Sequence, residues 1–297
     1  MTFSWEASGR QSEAMHMVDG PEMEHEDVDR SQEEGLTESA QAPLLFEKHG
    51  EHVGIVTINR PEARNAVNGP VAEALEKLVE RTEADSDLRA IVLTGAGGKV
   101  FSAGADLKEI SAGNLDKLIR KRTGFAGFVH AKRSKPWIAA VEGFALAGGC
   151  ELALACDMIV AAEGGAFGLP EVTRGLAAAA GGLYRLPRTL PRAIALELIA
   201  TGDRLSSERA AALGMVNRLT TPGKALGEAI ALAETIAANA PLAVRESLAI
   251  ARAALDLDDA ALGRLSDEAQ ERLRRTEDFQ EGPRAFVEKR PPVWKGR

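Results

Sequence analysis

The chain is 297 residues long and 45% hydrophobic, with 44 Asp and Glu against 36 Lys and Arg for a formal net charge of −8. That size and apolar content suffice for one large folded domain or two modest ones. Its longest apolar stretches are broken by Glu151, Asp157 and Arg174, so no uncharged run of about 18 residues is left to span a bilayer.

The charge is concentrated at one end. Residues 1–43 hold eleven acidic side chains and only Arg10 and Arg30 as strong bases, which leaves the remainder close to neutral. This segment lacks the basic start and apolar stretch of a secretory signal, and it is too acidic for an organellar transit peptide. With little beyond Phe3, Trp5 and a few Met and Val to bury, it is expected to be a disordered tail. Its acidity also argues against a nucleic-acid partner.

From Pro43 the pattern changes. Residues 44–46 and 53–58 flank His49-Gly50-Glu51-His52 and read as a β-hairpin. Residues 71–85 carry Leu75, Leu78 and Val79 at helical spacing, and residues 90–94 make a short buried strand. Residues 137–141 and 158–162 repeat that strand pattern, each after a helical stretch and near glycine. Such alternation predicts an α/β fold with parallel pairing. Beyond Leu190 the strand signals fade into helical runs at 194–200, 207–213, 225–238, 242–254 and 259–276, punctuated by Pro222 and Pro241, with 216–219 a strand or a turn. The expected division is therefore a tail (1–43), an α/β core (44–200) and a helical C-terminal region (201–297).

Two glycine-rich turns precede expected helix starts, one spanning residues 101–107 and the other 144–150. The first amides of a helix have no intrahelical partner, and small residues let a ligand approach them. Two such amides converging on one oxygen would form an oxyanion hole, at about 3 to 4 kcal/mol of transition-state stabilisation per donor; two tight turns serving only close packing are the alternative. Glu151 opens the apolar run 152–156, and Glu171 follows Pro170 in an equally apolar stretch. Two carboxylates in such surroundings can divide acid and base roles. Equally, Glu151 could be a first-turn acid favoured by the helix dipole and Glu171 a loop carboxylate.

Other chemistries lose support. No strand is followed by G-x-G-x-x-G, and neither a G-x-x-x-x-G-K-[ST] loop nor a G-x-S-x-G elbow occurs. The five histidines (16, 25, 49, 52 and 130) are scattered and the two cysteines, Cys150 and Cys156, lack zinc-site partners, so no metal is expected. Two unbridged thiols suit a reducing cytoplasm. Residues 117–135 hold seven Lys or Arg and no acid, a run read as a solvated helix face rather than an RNA-binding strip.

Taken together, residues 59–66, 102–109, 141–157, 167–175, Gly181-Gly182 and 281–290 resemble the crotonase, or enoyl-CoA hydratase/isomerase, superfamily, over about residues 44–297. The resemblance implies an α/β spiral of ββα units with a C-terminal helical trimerisation region, assembling as a homotrimer or a hexamer of two trimers. It implies an acyl-CoA thioester as substrate and no cofactor besides the coenzyme A carried by that substrate. The amides of Ala105 and Gly148 would hold the thioester oxygen, and Glu151 and Glu171 match the two glutamates that add water across a 2,3-double bond. Backbone from Ala103 through Asp106, Leu107 and Lys108 would line the pantetheine path, with Arg64 near the adenosine end and Phe286 and Lys289 reaching the nucleotide of a neighbouring subunit. The text departs from many hydratases at Ala179, which replaces a glycine that helps position water, and at Ala147 and Arg174. Both glutamates being present favours an enoyl-CoA hydratase. A carnitinyl-CoA-type dehydratase, an enoyl-CoA isomerase, or an inactive CoA- or RNA-binding relative are the alternatives.

Overall fold

The computed structural model describes residues 42–297, so the acidic tail expected over 1–43 lies almost wholly outside the described residues. The hairpin forms as expected, with β1 (Leu44–His49) antiparallel to β2 (Val53–Ile58). Helix α1 (Gly69–Ala84) starts where the Asn68 side chain accepts the Val71 amide at 3.1 Å, and it buries Val71, Leu75, Leu78 and Val79. That cap satisfies one of the free first-turn donors. Strand β3 (Ala90–Gly95) then returns parallel to β2.

A repeating unit follows, made of a long strand, a short strand and a helix. The first comprises β3, β4 (Val100–Ser102) and α2 (Leu107–Ser111). After α3 (Leu115–Leu118) and the small ladder of β5 (Ile119–Arg120) with β6 (Gly124–Phe125), the second comprises β7 (Trp137–Val141), β8 (Phe144–Leu146) and α4 (Gly148–Ala155). The third comprises β9 (Met158–Ala162), β10 (Ala166–Gly168) and α5 (Gly182–Thr189). The long strands β2, β3, β7 and β9 pair in parallel in one sheet. The short strands β4, β8 and β10 pair in parallel in a second. Strand β7, Trp-Ile-Ala-Ala-Val, is buried throughout, as a parallel strand covered on both faces requires.

The two sheets continue past the point where strand signals fade. After α6 (Arg192–Thr201), β11 (Arg204–Ser206) pairs antiparallel with β10, and after α7 (Ser207–Ala212), β12 (Arg218–Thr220) pairs parallel with β9. Helix α8 (Ala225–Ala237) lays Ala229, Ala233 and Ala237 against Val53, Ala90, Val92, Ile138, Ala140 and Val160 of the large sheet. Alanine at every fourth residue lets the helix backbone approach closely. Residues 204–237 therefore belong to the sheet layers, and the purely helical end is α9 (Pro241–Ala253), α10 (Asp259–Arg274) and α11 (Glu277–Glu288).

The basic run 117–135 is solvated at Lys117, Lys121, Arg122 and Lys132, but only its first two residues are helical and the rest is partly packed. Arg120 and Arg122 pair with Glu76 and Glu80 on α1, the first at 2.7 Å. Arg133 lies over the Phe128 ring, 3.9 Å from its centroid. Lys135 is fully buried and donates to the Thr82 and Asp85 carbonyls at the end of α1. There it satisfies free C-terminal carbonyls and its charge complements the helix dipole.

Candidate active site

Because β4, β8 and β10 run parallel and side by side, the turns after them emerge along one edge of the small sheet. Those turns carry Ala105, Gly148 and Glu171, so three segments distant in sequence converge.

The first turn is held from behind. Ser102 Oγ donates to the Asn65 carbonyl at 2.8 Å and accepts the Gly104 amide at 3.2 Å. Val67 donates to the Gly104 carbonyl at 2.8 Å and accepts the Asp106 amide at 2.9 Å. Asn65 Nδ2 donates to the Ala96 and Val100 carbonyls at 2.9 and 2.6 Å, and Arg60 bonds the Ala66 carbonyl and Asp106 Oδ2 at 2.6 and 3.1 Å. Arg60, Asn65 and Ser102 thus shape this turn, and the only sequence signal for them was their place in the matching segments 59–66 and 102–109. The Asp106 carboxylate is occupied by Arg60 and by capping the Lys108 amide at 3.1 Å, so only its backbone is available to line a path.

The second turn bears strain. Ala147 has φ 51 and ψ −130, the mirror image of an extended conformation, which glycine adopts freely and alanine does not. Its amide donates to the Gly168 carbonyl at 2.9 Å, which locks β8 to β10. Ala147→Gly is therefore expected to stabilise the fold by about 1 kcal/mol. A urea midpoint that falls instead would show that the conformation carries no strain. Gly148 follows, with the Phe125 ring 2.7 Å from where a Cβ would lie, and Gly149 abuts the Ser102 carbonyl. No carbonyl among the described residues accepts the Ala105 or the Gly148 amide.

Glu151 is not a solvated first-turn acid: it is 3% exposed, inside a helix whose every residue is buried. Its Oε1 accepts the Gly182 amide at 2.9 Å. Burial pushes its pKa up to about 7; the Gly182 amide opposes the rise, and the neighbouring Glu171 charge adds to it. Glu171 sits in a short 3-10 turn, Pro170–Arg174, that ends at Gly175 with φ 69. It is half-buried, its Oε2 has no partner among the described residues, and burial raises its pKa, with its own amide and Arg174 opposing. Arg174 itself is exposed and bonds its own turn through Thr173 Oγ1 at 3.4 Å, in line with a solvent-facing arginine.

The remaining expected site residues scatter. Arg64 is exposed in the left-handed conformation, φ 54, and accepts the Ala103 amide at 3.0 Å through its carbonyl. Leu107 and Lys108 are exposed on α2 beside the first turn. The Ala179 amide donates to the Ala177 carbonyl at 2.8 Å. Phe286, 85% exposed, and Lys289 lie at the C-terminal end of α11, which packs on α10.

A chain with this edge has close counterparts. A carnitinyl-CoA dehydratase of Salmonella enteritidis is 39% identical over 254 residues, 82% of this chain and 94% of its own. The crystal structure of an enoyl-CoA hydratase of Mycobacterium marinum superposes with TM-score 0.83 at 49% identity, covering 86% of this chain and all of that one. The crystal structure of a carnitinyl-CoA hydratase of Mycobacterium avium does so with TM-score 0.69 at 47% identity, over the same shares. The family model described as enoyl-CoA hydratase/isomerase matches residues 48–297. The chain belongs to the enoyl-CoA hydratase/isomerase family.

Proposed function

We propose that this protein is an enoyl-CoA hydratase, a hydro-lyase that adds water across the 2,3-double bond of a straight-chain 2-enoyl-CoA thioester. The observation that carries the reading is the buried carboxylate of Glu151 and the half-buried one of Glu171, beside the Ala105 and Gly148 amides, which no carbonyl among the described residues accepts, on one sheet edge. The two amides receive the thioester oxygen, which draws the C2–C3 π electrons toward an enolate. Glu151, whose charged form is favoured by the Gly182 amide, takes a proton from water as the water oxygen bonds to C3. Glu171, with one oxygen free of partners among the described residues, gives its proton to C2. Water is thereby added with no change in oxidation state, and proton exchange between the two carboxyls and solvent resets them.

The strip from Ala103 through Lys108, exposed at Leu107 and Lys108, with Arg64 beside it, lines the path of the pantetheine and nucleotide. Phe286 and Lys289 serve a neighbouring subunit in a homotrimer, or in a hexamer of two trimers, built through the helices after residue 237. The protein works in the cytoplasm without a cofactor of its own. Among the described residues no helix is long and apolar enough to cross a membrane. Relatives named for carnitinyl-CoA match at nearly the same identity as the hydratase, so a carnitinyl-CoA dehydratase is the second reading.

The deciding experiment offers the purified protein crotonyl-CoA, longer enoyl-CoAs and carnitinyl-CoA while the conjugated thioester absorbance is followed. Crotonyl-CoA hydration supports the first reading, and turnover of carnitinyl-CoA alone the second. Binding of these thioesters without turnover of any would overturn both. With Glu151 as base, the rate is expected to fall as pH drops through about 7, approaching tenfold per unit below it. The stability contribution runs the other way. The fold holds this proton more tightly than the unfolded chain, whose value is near 4.5, so the group's contribution to stability declines as pH rises from 4.5 to 7. A rate that is flat from pH 5 to 8 would reassign the base.

A further inference from the structure

Arg185 lies on α5 four residues after Gly181, half-buried, and no carboxylate among the described residues pairs with it at ion-pair distance. An arginine without such a partner inside a fold calls for another account of its place. Its Nη1 donates to the Ala180 carbonyl at 3.1 Å and its Nη2 to the Val129 carbonyl at 2.6 Å. Those two carbonyls belong to different walls of the site. Ala180 lies in the loop whose next turn sends the Gly182 amide to Glu151. Val129 closes the segment whose Phe125 ring backs Gly148. The loop is moulded around the guanidinium: Gly181 has φ 116, and a Cβ there would run into Arg185 Nη1.

We propose that Arg185 is a positioning residue for Glu151: it ties the 180–182 loop to the wall behind Gly148 so that the Gly182 amide meets the carboxylate, and it holds a positive charge near that same carboxylate. The inference rests on the hydratase reading and deepens it. The charges on both sides are accounted for as follows. Glu151 feels Glu171, Arg185 and the Cys150 thiol, which burial keeps protonated. Arg185 in turn faces Tyr184, Cys156 and Arg188, with Arg133 and His130 also acting on it or on its field. His130, bonded to the Tyr184 hydroxyl at 3.0 Å, is pushed below its usual value by burial and by Arg185, so it stays neutral at pH 7. The arginines stay charged throughout, which leaves Glu151, raised to about 7, as the group whose titration the acid limb follows.

The test compares full-length wild type, Arg185→Gln and Arg185→Lys in crotonyl-CoA hydration from pH 5.5 to 9, with kcat and KM separated. For Arg185→Gln the acid limb of kcat is expected to move up by about one pH unit, because a positive charge near a carboxylate favours its ionised form. The kcat at pH 7 is expected to fall about tenfold, with KM changed by less than about twofold. Arg185→Lys keeps the charge but not the two-pronged grip, so the limb is expected to stay while kcat falls about threefold. A limb in Arg185→Gln that superimposes on wild type, whatever the loss of rate, would overturn the proposal in favour of a purely structural arginine. Should Arg185→Gln fail to fold, Arg185→Lys decides: wild-type kcat and limb together overturn it. Wild-type turnover checks the hydratase reading separately, and if another thioester is the substrate, the same profiles are measured with that one.

Discussion

Glu151→Gln and Glu171→Gln are each expected to slow hydration of crotonyl-CoA by about a hundredfold to ten-thousandfold, while affinity for the CoA product stays within about threefold. The glutamine at 151 keeps an oxygen to accept the Gly182 amide, now at 2.9 Å on Glu151 Oε1, so the loop has no reason to move. What it lacks is the ability to take a proton from water. The glutamine at 171 keeps the shape of a half-buried side chain whose Oε2 is unpartnered among the described residues, and it has no proton acidic enough to give to C2. Since the two groups act in one step, the double variant should be little slower than the slower single one. Neither substitution leaves a buried charge unpaired, so thermal unfolding should stay within a few degrees of wild type. Initial rates and product inhibition check this directly, and wild-type rates in both single variants would remove the two-carboxylate mechanism.

Gly104→Ala tests the other half of the site. Gly104 has φ 86, and a Cβ there would sit 2.6 Å from the Gly148 nitrogen and 3.1 Å from the Ala147 Cβ. The residue is fixed on both sides, by the Ser102 hydroxyl at its amide and the Val67 amide at its carbonyl, so the methyl has no room made for it. Relief must come from parting the turns that carry the Ala105 and Gly148 amides. A lost oxyanion donor is worth about a hundredfold to a thousandfold in kcat, and that is the expected loss. Strain at a positive φ adds about 1 to 3 kcal/mol of destabilisation. The two effects separate when the rate is normalised to the folded fraction from a urea titration. A normalised kcat equal to wild type would show that these amides do not serve the reaction.

The parts of the molecule legible in the sequence were those whose signal is local. Strands β7 and β9 fall where uninterrupted apolar runs put them, and α1 where its leucines repeat. The three-residue strands β4, β8 and β10 are too short to show a period, and they exist because neighbouring turns of the spiral pair with them. Helices α5 and α11 hide behind internal prolines, Pro187 and Pro283. The basic run misled because its partners, Glu76 and Glu80, lie more than forty residues away on α1. For Glu151 and Glu171 the spacing alone allowed a bland reading, and the family likeness named them. The burial of Glu151 is a tertiary property that neither spacing nor composition contains. The same holds for Arg185, whose two carbonyl partners come from separate segments.

The turns after β4, β8 and β10 each belong to a different coil, so outside the Gly104–Gly148 contact each can vary alone. The ladders that fix the strands run through backbone amides, which do not care what the following turn contains. A residue such as Ala179 can thus be exchanged, or a turn lengthened, while the frame beneath keeps its register. Heritable change in what the enzyme accepts is thereby decoupled from the risk of losing the fold, and a lineage can explore new acyl groups one rim segment at a time.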